Sequence, residues 1–225
     1  MAEASTTNPG NTVPRGRHAP PLEVRVGVQR ERLFEAAARV FSRVGYADAS
    51  AEGISREAGM SKATFYEHFA NKEECLLALF DQAAATIMQA MADEQRANRR
   101  ESESYNEWIA RGVRAFLETL TAHPEASRTL LVEIVGAGPV AMERRDRIFQ
   151  LFAELLYNDN RAVAPHYAAP QFASIEDAYA IVGAIAALVD RQLRNGLPED
   201  PRDLEPVIER LFFGLLSQAA ELDGR

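Results

Sequence analysis

Apolar residues along this chain recur almost everywhere at helical spacing, and nowhere do they alternate long enough to make a strand. Residues 1–24 lack apolar periodicity and are rich in Pro, Gly, Ser, Thr and Asn, which predicts a mobile tail. From Val28 a pattern begins in which Leu33, Ala36, Ala37, Val40, Phe41 and Val44 return at threes and fours. Gly45 then offers a left-handed stop. Ser50 can cap a short helix holding Ile54 and Ala58 and ended by Gly59. Ser61 can cap another through Phe69, and Asn71 with Glu74 forms a capping box for a long helix from Lys72 to about Arg99. Further on, Pro and Gly separate predicted helices over 105–122, 124–135 and 140–158, and residues 159–173 read as a loop. Ser174 caps a helix through Asn195, and Asp203 caps a last one in which Leu204, Val207, Ile208, Leu211, Phe212, Leu215 and Leu216 repeat.

The pattern divides the chain into a tail (1–24), a small three-helix head (25–75) and a larger helical body (76–225), an all-α protein. In the head, Phe41, Ile54, Ala58, Met60, Phe65, Phe69 and Leu76 are the expected inward set, enough for a small core that leans on the fourth helix. Between helices two and three, Ala58-Gly59-Met60-Ser61 matches the turn of a helix-turn-helix, where Gly permits the sharp reversal.

Composition narrows the setting. No apolar run approaches the roughly 18 residues of a membrane span, and the N-terminus has no stretch that could serve a signal peptide. With a single cysteine, Cys75, the chain is expected in the cytoplasm, without a membrane partner. The formal net charge of -8 argues at first against nucleic acid. Residues 1–75, however, carry ten Lys or Arg against ten Asp or Glu, while residues 76–225 carry fifteen against twenty-three, so the whole excess lies in the body. Both lysines of the chain, Lys62 and Lys72, fall in the neutral head.

Advancing about 100° per residue along helix three, Phe65 and Phe69 fix the inward direction. Ala63 and Glu67 then point outward, flanked by Thr64 and Tyr66, with Lys62 at the start. A small residue, a hydroxyl, a phenol and a cation on one short face suit the major groove, where Thr reads a base edge or a thymine methyl and Tyr or Lys holds phosphate. Each residue alone reads better as part of an ordinary surface helix; the combination is what points to DNA.

Residues 45–80, GYADASAEGISREAGMSKATFYEHFANKEECLLALF, resemble the helix-turn-helix signature of the TetR family of transcriptional regulators, with Gly45, Ile54, Ala58-Gly59, Ser61, Thr64, Tyr66, Phe69 and Lys72 in register. The resemblance implies an all-helical homodimer, a repressor in role, that binds a palindromic operator and is released by a small-molecule effector. By position it implies DNA contacts from Ser50, Ser61, Lys62, Ala63, Thr64, Tyr66, His68 and Lys72, with phosphate taken by Ser50 and Lys72 and backbone held by His68. Glu52 and Glu67 depart from the common pattern. Near phosphate each carboxylate repels unless it accepts from a cytosine amino group. Arg15 and Arg17 in the tail suit a minor-groove arm, although a plain disordered tail fits them equally.

For the body, the family pattern implies a four-helix dimer interface from residues 174–195 and 203–222 of two subunits. An effector pocket is expected between the fourth helix and those at 105–122, 140–158 and 174–195. Its candidate lining is Met88, Met91, Trp108, Phe116, Glu133, Phe149, Phe152 and Tyr179, although taken singly the apolar ones among them fit plain core better. Glu133 fits better as a structural partner of Arg128 or Arg144. His18, His68, His123 and His166 are dispersed, and there is neither a metal-ligand spacing nor a phosphate-binding or nucleophile motif. No metal, cofactor or catalytic residue is therefore expected, and the chain reads as a non-enzyme. The alternative is an all-helical small-molecule binding protein or enzyme that keeps the head as a relic.

Overall fold

The computed structural model describes residues 21–97 and 103–223. Within them the chain forms α1 (Leu22–Asp48), α2 (Ala51–Glu57), α3 (Lys62–His68), α4 (Lys72–Ala97), α5 (Tyr105–Ala122), α6 (Pro124–Leu131), α7 (Pro139–Val163), α8 (Ile175–Asn195) and α9 (Glu205–Asp223). Single 3-10 turns lie at Glu133–Gly136, Ala164–Tyr167 and Pro201–Leu204, and the described residues include no strand. The all-α reading holds.

The head forms around the expected residues: Phe41, Ile54, Phe65 and Leu76 are fully buried, Ala58 and Phe69 nearly so, and Met60 is half-buried. Fully burying one such large apolar side chain contributes about 1.5–3 kcal/mol. Caps start the short helices. Ser50 Oγ accepts from the Gly53 N–H at 3.0 Å, Ser61 Oγ from the Thr64 N–H at 3.0 Å, and Asn71 Oδ1 from the Glu74 N–H at 2.9 Å. The Glu74 carboxylate reaches one residue further back than a capping box requires, to the Ala70 N–H. Gly59 takes positive φ (65°) in the turn, and Arg32 donates to the Ala58 carbonyl at 2.9 Å, which ties that turn to α1. The head rests on α6 and on the Glu133–Gly136 turn as well as on α4.

Several predicted boundaries move. The first helix starts at Leu22 rather than Val28. In its added turns Leu22, Val24, Val26 and Val28 are all exposed, so no inward stripe marked them. Residues 1–20, including Arg15 and Arg17 of the proposed arm, lie outside the described residues. The predicted 124–135 helix ends at Leu131 and tightens into the 3-10 turn. The expected loop at 159–173 is largely helical: α7 runs on to Val163 and a 3-10 turn follows. Asn160 holds this stretch, being 1% exposed, donating to the Tyr105 hydroxyl and accepting from the Phe172 N–H at 2.9 Å. Before α9 it is Asp200, not Asp203, that caps, accepting from the Arg202 N–H at 2.9 Å. One helix, over Lys72–Arg96, is long and apolar enough by length and composition to cross a membrane, contrary to the sequence reading. Its buried side, Cys75, Leu76, Leu79, Phe80, Ala84 and Ile87, is instead part of the core.

Candidate nucleic-acid interface and effector cavity

Helix α3 is anchored by Phe65 and Phe69, whose rings lie 5.5 Å apart, with Phe34 packed 5.5 Å from Phe69. Its other side is open. Lys62, Ala63, Tyr66 and Glu67 are exposed, and the Tyr66 ring meets Phe65 edge-on at 5.5 Å, which steadies a half-exposed phenol. Thr64 is half-buried and shares a 2.9 Å hydrogen bond between its hydroxyl and that of Ser61. Ser50 is exposed; its oxygen is engaged as the cap of α2, but a hydroxyl keeps a proton to donate.

Two expected DNA contacts sit differently. Lys72 does not present a free ammonium: Nζ donates to the carbonyls of Tyr46, Ala47 and Ala49 at 2.8, 2.9 and 2.9 Å and lies 4.6 Å from the centre of the Tyr46 ring. The charge closes the open carbonyls at the end of α1, where a cation is favoured by the helix dipole. Lys72 thereby fixes the turn that carries Ser50. His68 is half-buried, and its Nε2 is buried without a hydrogen-bond partner. Desolvation, and secondly the nearby Arg30 charge, hold its pKa below the usual histidine value, so the neutral ring is favoured. Among the other head cations, Arg39 and Arg43 both bind Glu57 at 3.0 Å, and Arg30 lies over Phe34 and Phe69. Arg56 is different: it is exposed in the last turn of α2 and has no partner among the described residues. The sequence reading passed over it because the turn motif drew attention to the serines and lysines.

The body encloses a cavity of about 100 Å3 lined almost wholly by apolar residues. Of the candidate lining residues, Met91, Trp108, Phe116, Phe149 and Phe152 border this cavity, joined by Leu130 and Leu131 of α6 and Ile208 and Phe212 of α9. Met88, Glu133 and Tyr179 do not. Met88 packs against the core beside the cavity, and the Tyr179 hydroxyl donates to Asp146 at 2.5 Å on an exposed side of α8. Glu133 belongs to the junction between head and body: Oε2 accepts from the Tyr46 N–H at 3.0 Å, and Oε1 is 3.6 Å from Arg128 Nε. The partner is thus Arg128; Arg144 binds Asp81 instead, at 2.6 Å. Arg128 also donates to the Leu193 carbonyl at 2.9 Å, so one short chain of contacts joins α8, α6 and the end of α1. Gly45, with φ 78°, breaks the helix there, and its hydrogen-only side faces Glu133. Cys75 is fully buried, and burial pushes its thiol up to about 12, which makes it an inert packing group.

Comparison with known proteins agrees with this geometry. The sequence profile described as bacterial regulatory proteins, tetR family, matches residues 33–79, the segment from α1 into α4. A transcriptional regulator of the helix-turn-helix type, EthR of Mycolicibacterium smegmatis, is 30% identical over 132 residues, 55% of this chain and 54% of that protein. An uncharacterized one from Bacillus subtilis, YhgD, is 29% identical over 99 residues, 44% of this chain and 50% of that protein. The chain thus spans about half the length of the curated relatives it matches. Among solved structures, the fatty acid degradation regulator FadR of Bacillus halodurans shares the fold with a TM-score of 0.69 at 19% identity, over 83% of this chain and 95% of that one. The FadR of Bacillus subtilis, solved in complex with stearoyl-CoA, gives 0.69 at 18% identity, over 83% and 97%. The head, residues 33–79, thus carries the signature of the tetR family, and the chain as a whole shares the all-helical fold of these regulators.

Proposed function

We propose that this protein is a dimeric transcriptional repressor that binds a palindromic operator through α3 and releases it when an effector enters the body cavity. The observation that carries the DNA reading is the outer face of α3: Lys62, Ala63 and Tyr66 are exposed together above two buried phenylalanines, with the Thr64 edge beside them. In this reading Ser50, Lys62, Tyr66 and Arg56 hold phosphate, Ala63 and Thr64 meet base edges, and Lys72 positions Ser50. The dimer reading draws support from α8 and α9. Ala180 and Ala187 are exposed on one, Val207 and Leu211 are half-buried on the other, and Gly183 and Gly214 have open space beside them. Paired there, two heads could reach successive major grooves about 34–36 Å apart. The action is soluble and cytoplasmic in this reading, and no enzymatic step is involved.

An effector must bind one state better than the other to shift the population. An apolar cavity of about 150 Å3 takes benzene, so at about 100 Å3 this one admits a larger ligand only if the helices around it part. That requirement supplies the differential affinity. The stearoyl-CoA complex of the Bacillus subtilis FadR is an instance, in a protein of this fold, of a ligand with a long apolar part.

Selection of bound fragments from random duplex DNA, followed by affinity measured across salt, tests the proposal. An inverted repeat is expected. Tyr66→Ala should weaken binding, and Lys62→Ala should weaken it while reducing the salt slope by about 1. No enriched sequence, or binding indifferent to both substitutions, would overturn it.

A further inference from the structure

The cavity is not uniform along its length. Helix α4 leaves the head at Lys72, and α7 starts just after the 3-10 turn whose Glu133 touches Tyr46. At 1.5 Å per residue, Gln95 and Asp159 lie about 35 and about 30 Å further along their helices, at the end remote from the head. Contacts tie that end together: Gln95 Nε2 donates to the Trp108 carbonyl at 3.2 Å, and Asn160 on α7 donates to the Tyr105 hydroxyl at the start of α5. Gly112 makes room for this, since a Cβ there would stand 2.8 Å from Gln95 Nε2.

Two polar groups of this end line the cavity without partners among the described residues. Gln95 Oε1 is buried with no donor bonded to it among the described residues. The Asp159 carboxyl lines the same space with no cation or donor on it among the described residues. Burial raises the Asp159 pKa, as expected where no positive charge offsets desolvation. Both groups are acceptors, and one carries the cavity lining's charge.

We infer that the effector is an apolar molecule carrying a hydrogen-bond-donating, preferably cationic, group, bound with that group between Gln95 and Asp159 and its apolar part toward the head. A free carboxylate is the wrong terminus for this end, because it would face an acceptor and a like charge. The inference rests on the cavity being the effector site. It narrows the class of ligand to amines, with alcohols as the neutral second choice.

Trp108 is the chain's one tryptophan and lines the cavity, so its fluorescence reports occupancy directly. Three probes of nearly one shape separate the possibilities: 4-phenylbutylamine, 4-phenylbutan-1-ol and 4-phenylbutyrate. The amine and the alcohol should alter Trp108 emission at concentrations at least tenfold below those the carboxylate needs. Asp159→Asn keeps the side chain's shape and supplies a donor; it should cost the amine its advantage over the alcohol and bring the carboxylate within about threefold of it. Gln95→Leu should weaken the alcohol several-fold, with thermal unfolding as the check on its fold. If the carboxylate binds as well as the amine in the unsubstituted protein, or if Asp159→Asn leaves the ranking unchanged, the polar end does not select the ligand and the inference falls while the cavity stands as a ligand site. If none of the three perturbs Trp108, the cavity reading itself falls, and this inference with it.

Discussion

The ammonium of Lys72 donates to three carbonyls that converge at the end of α1, from residues 23 to 26 positions away in sequence. A lysine opening a helix after a helix-turn-helix reads naturally as a phosphate ligand. Only the folded backbone brings the carbonyls that claim it. Hydrogen bonds from a charged donor contribute roughly 1.5–3 kcal/mol, and Lys72→Met should therefore lower stability by about 2 kcal/mol, read as a fall in the midpoint of thermal unfolding. The salt slope of duplex binding should stay where it was. A Lys72→Met protein with unchanged thermal midpoint and a shallower salt slope would return Lys72 to the phosphates. Ser50 and Ser61 contrast with it. A capping serine is governed by near neighbours, and for Ser50 and Ser61 the local reading and the structure coincide.

Among the elements, the junction of α1, α6 and the Glu133–Gly136 turn was the least legible. One carboxylate in an otherwise apolar stretch signals that something is bound, but the partner, the backbone N–H of Tyr46, is 87 residues away. The Gly45 break in α1 frees that N–H from its own helix, and Glu133 takes it up. Glu133→Ala leaves a partly buried donor unsatisfied, at a cost of about 1–3 kcal/mol. Hydrogen exchange should report it as faster exchange confined to residues 45–50. Protection unchanged across that segment would mean that the contact does not hold the junction. The extension of α7 has the same origin: Asn160 looks like a loop residue in a loop-like composition, and only Tyr105 and Phe172 make it a buried helical one.

For the whole molecule, the net charge of -8 has a place. The acidic excess falls in the body, where like charge keeps that surface off DNA, while the neutral head offers a few placed cations. Dimerisation would double those cations at the operator, and Leu211, half-buried on α9, lies in the proposed interface. Leu211→Glu should give monomers at micromolar concentration in sedimentation and a loss of operator affinity of at least tenfold, with the fold of each subunit kept. A dimer of unaltered strength in that variant would move the interface elsewhere.

By itself the sequence determined the helical class, the caps of the head, its core and the outward face of α3, because all of these follow from neighbours within a turn or two: periodicity, a capping hydroxyl, a glycine that can take positive φ. The tertiary structure alone decided which charges are already engaged, how head and body are joined, and that two acceptors without partners among the described residues, Gln95 and Asp159, line the far end of an apolar cavity. Those depend on groups 13 to 87 residues apart meeting in space, and no local pattern encodes such a meeting.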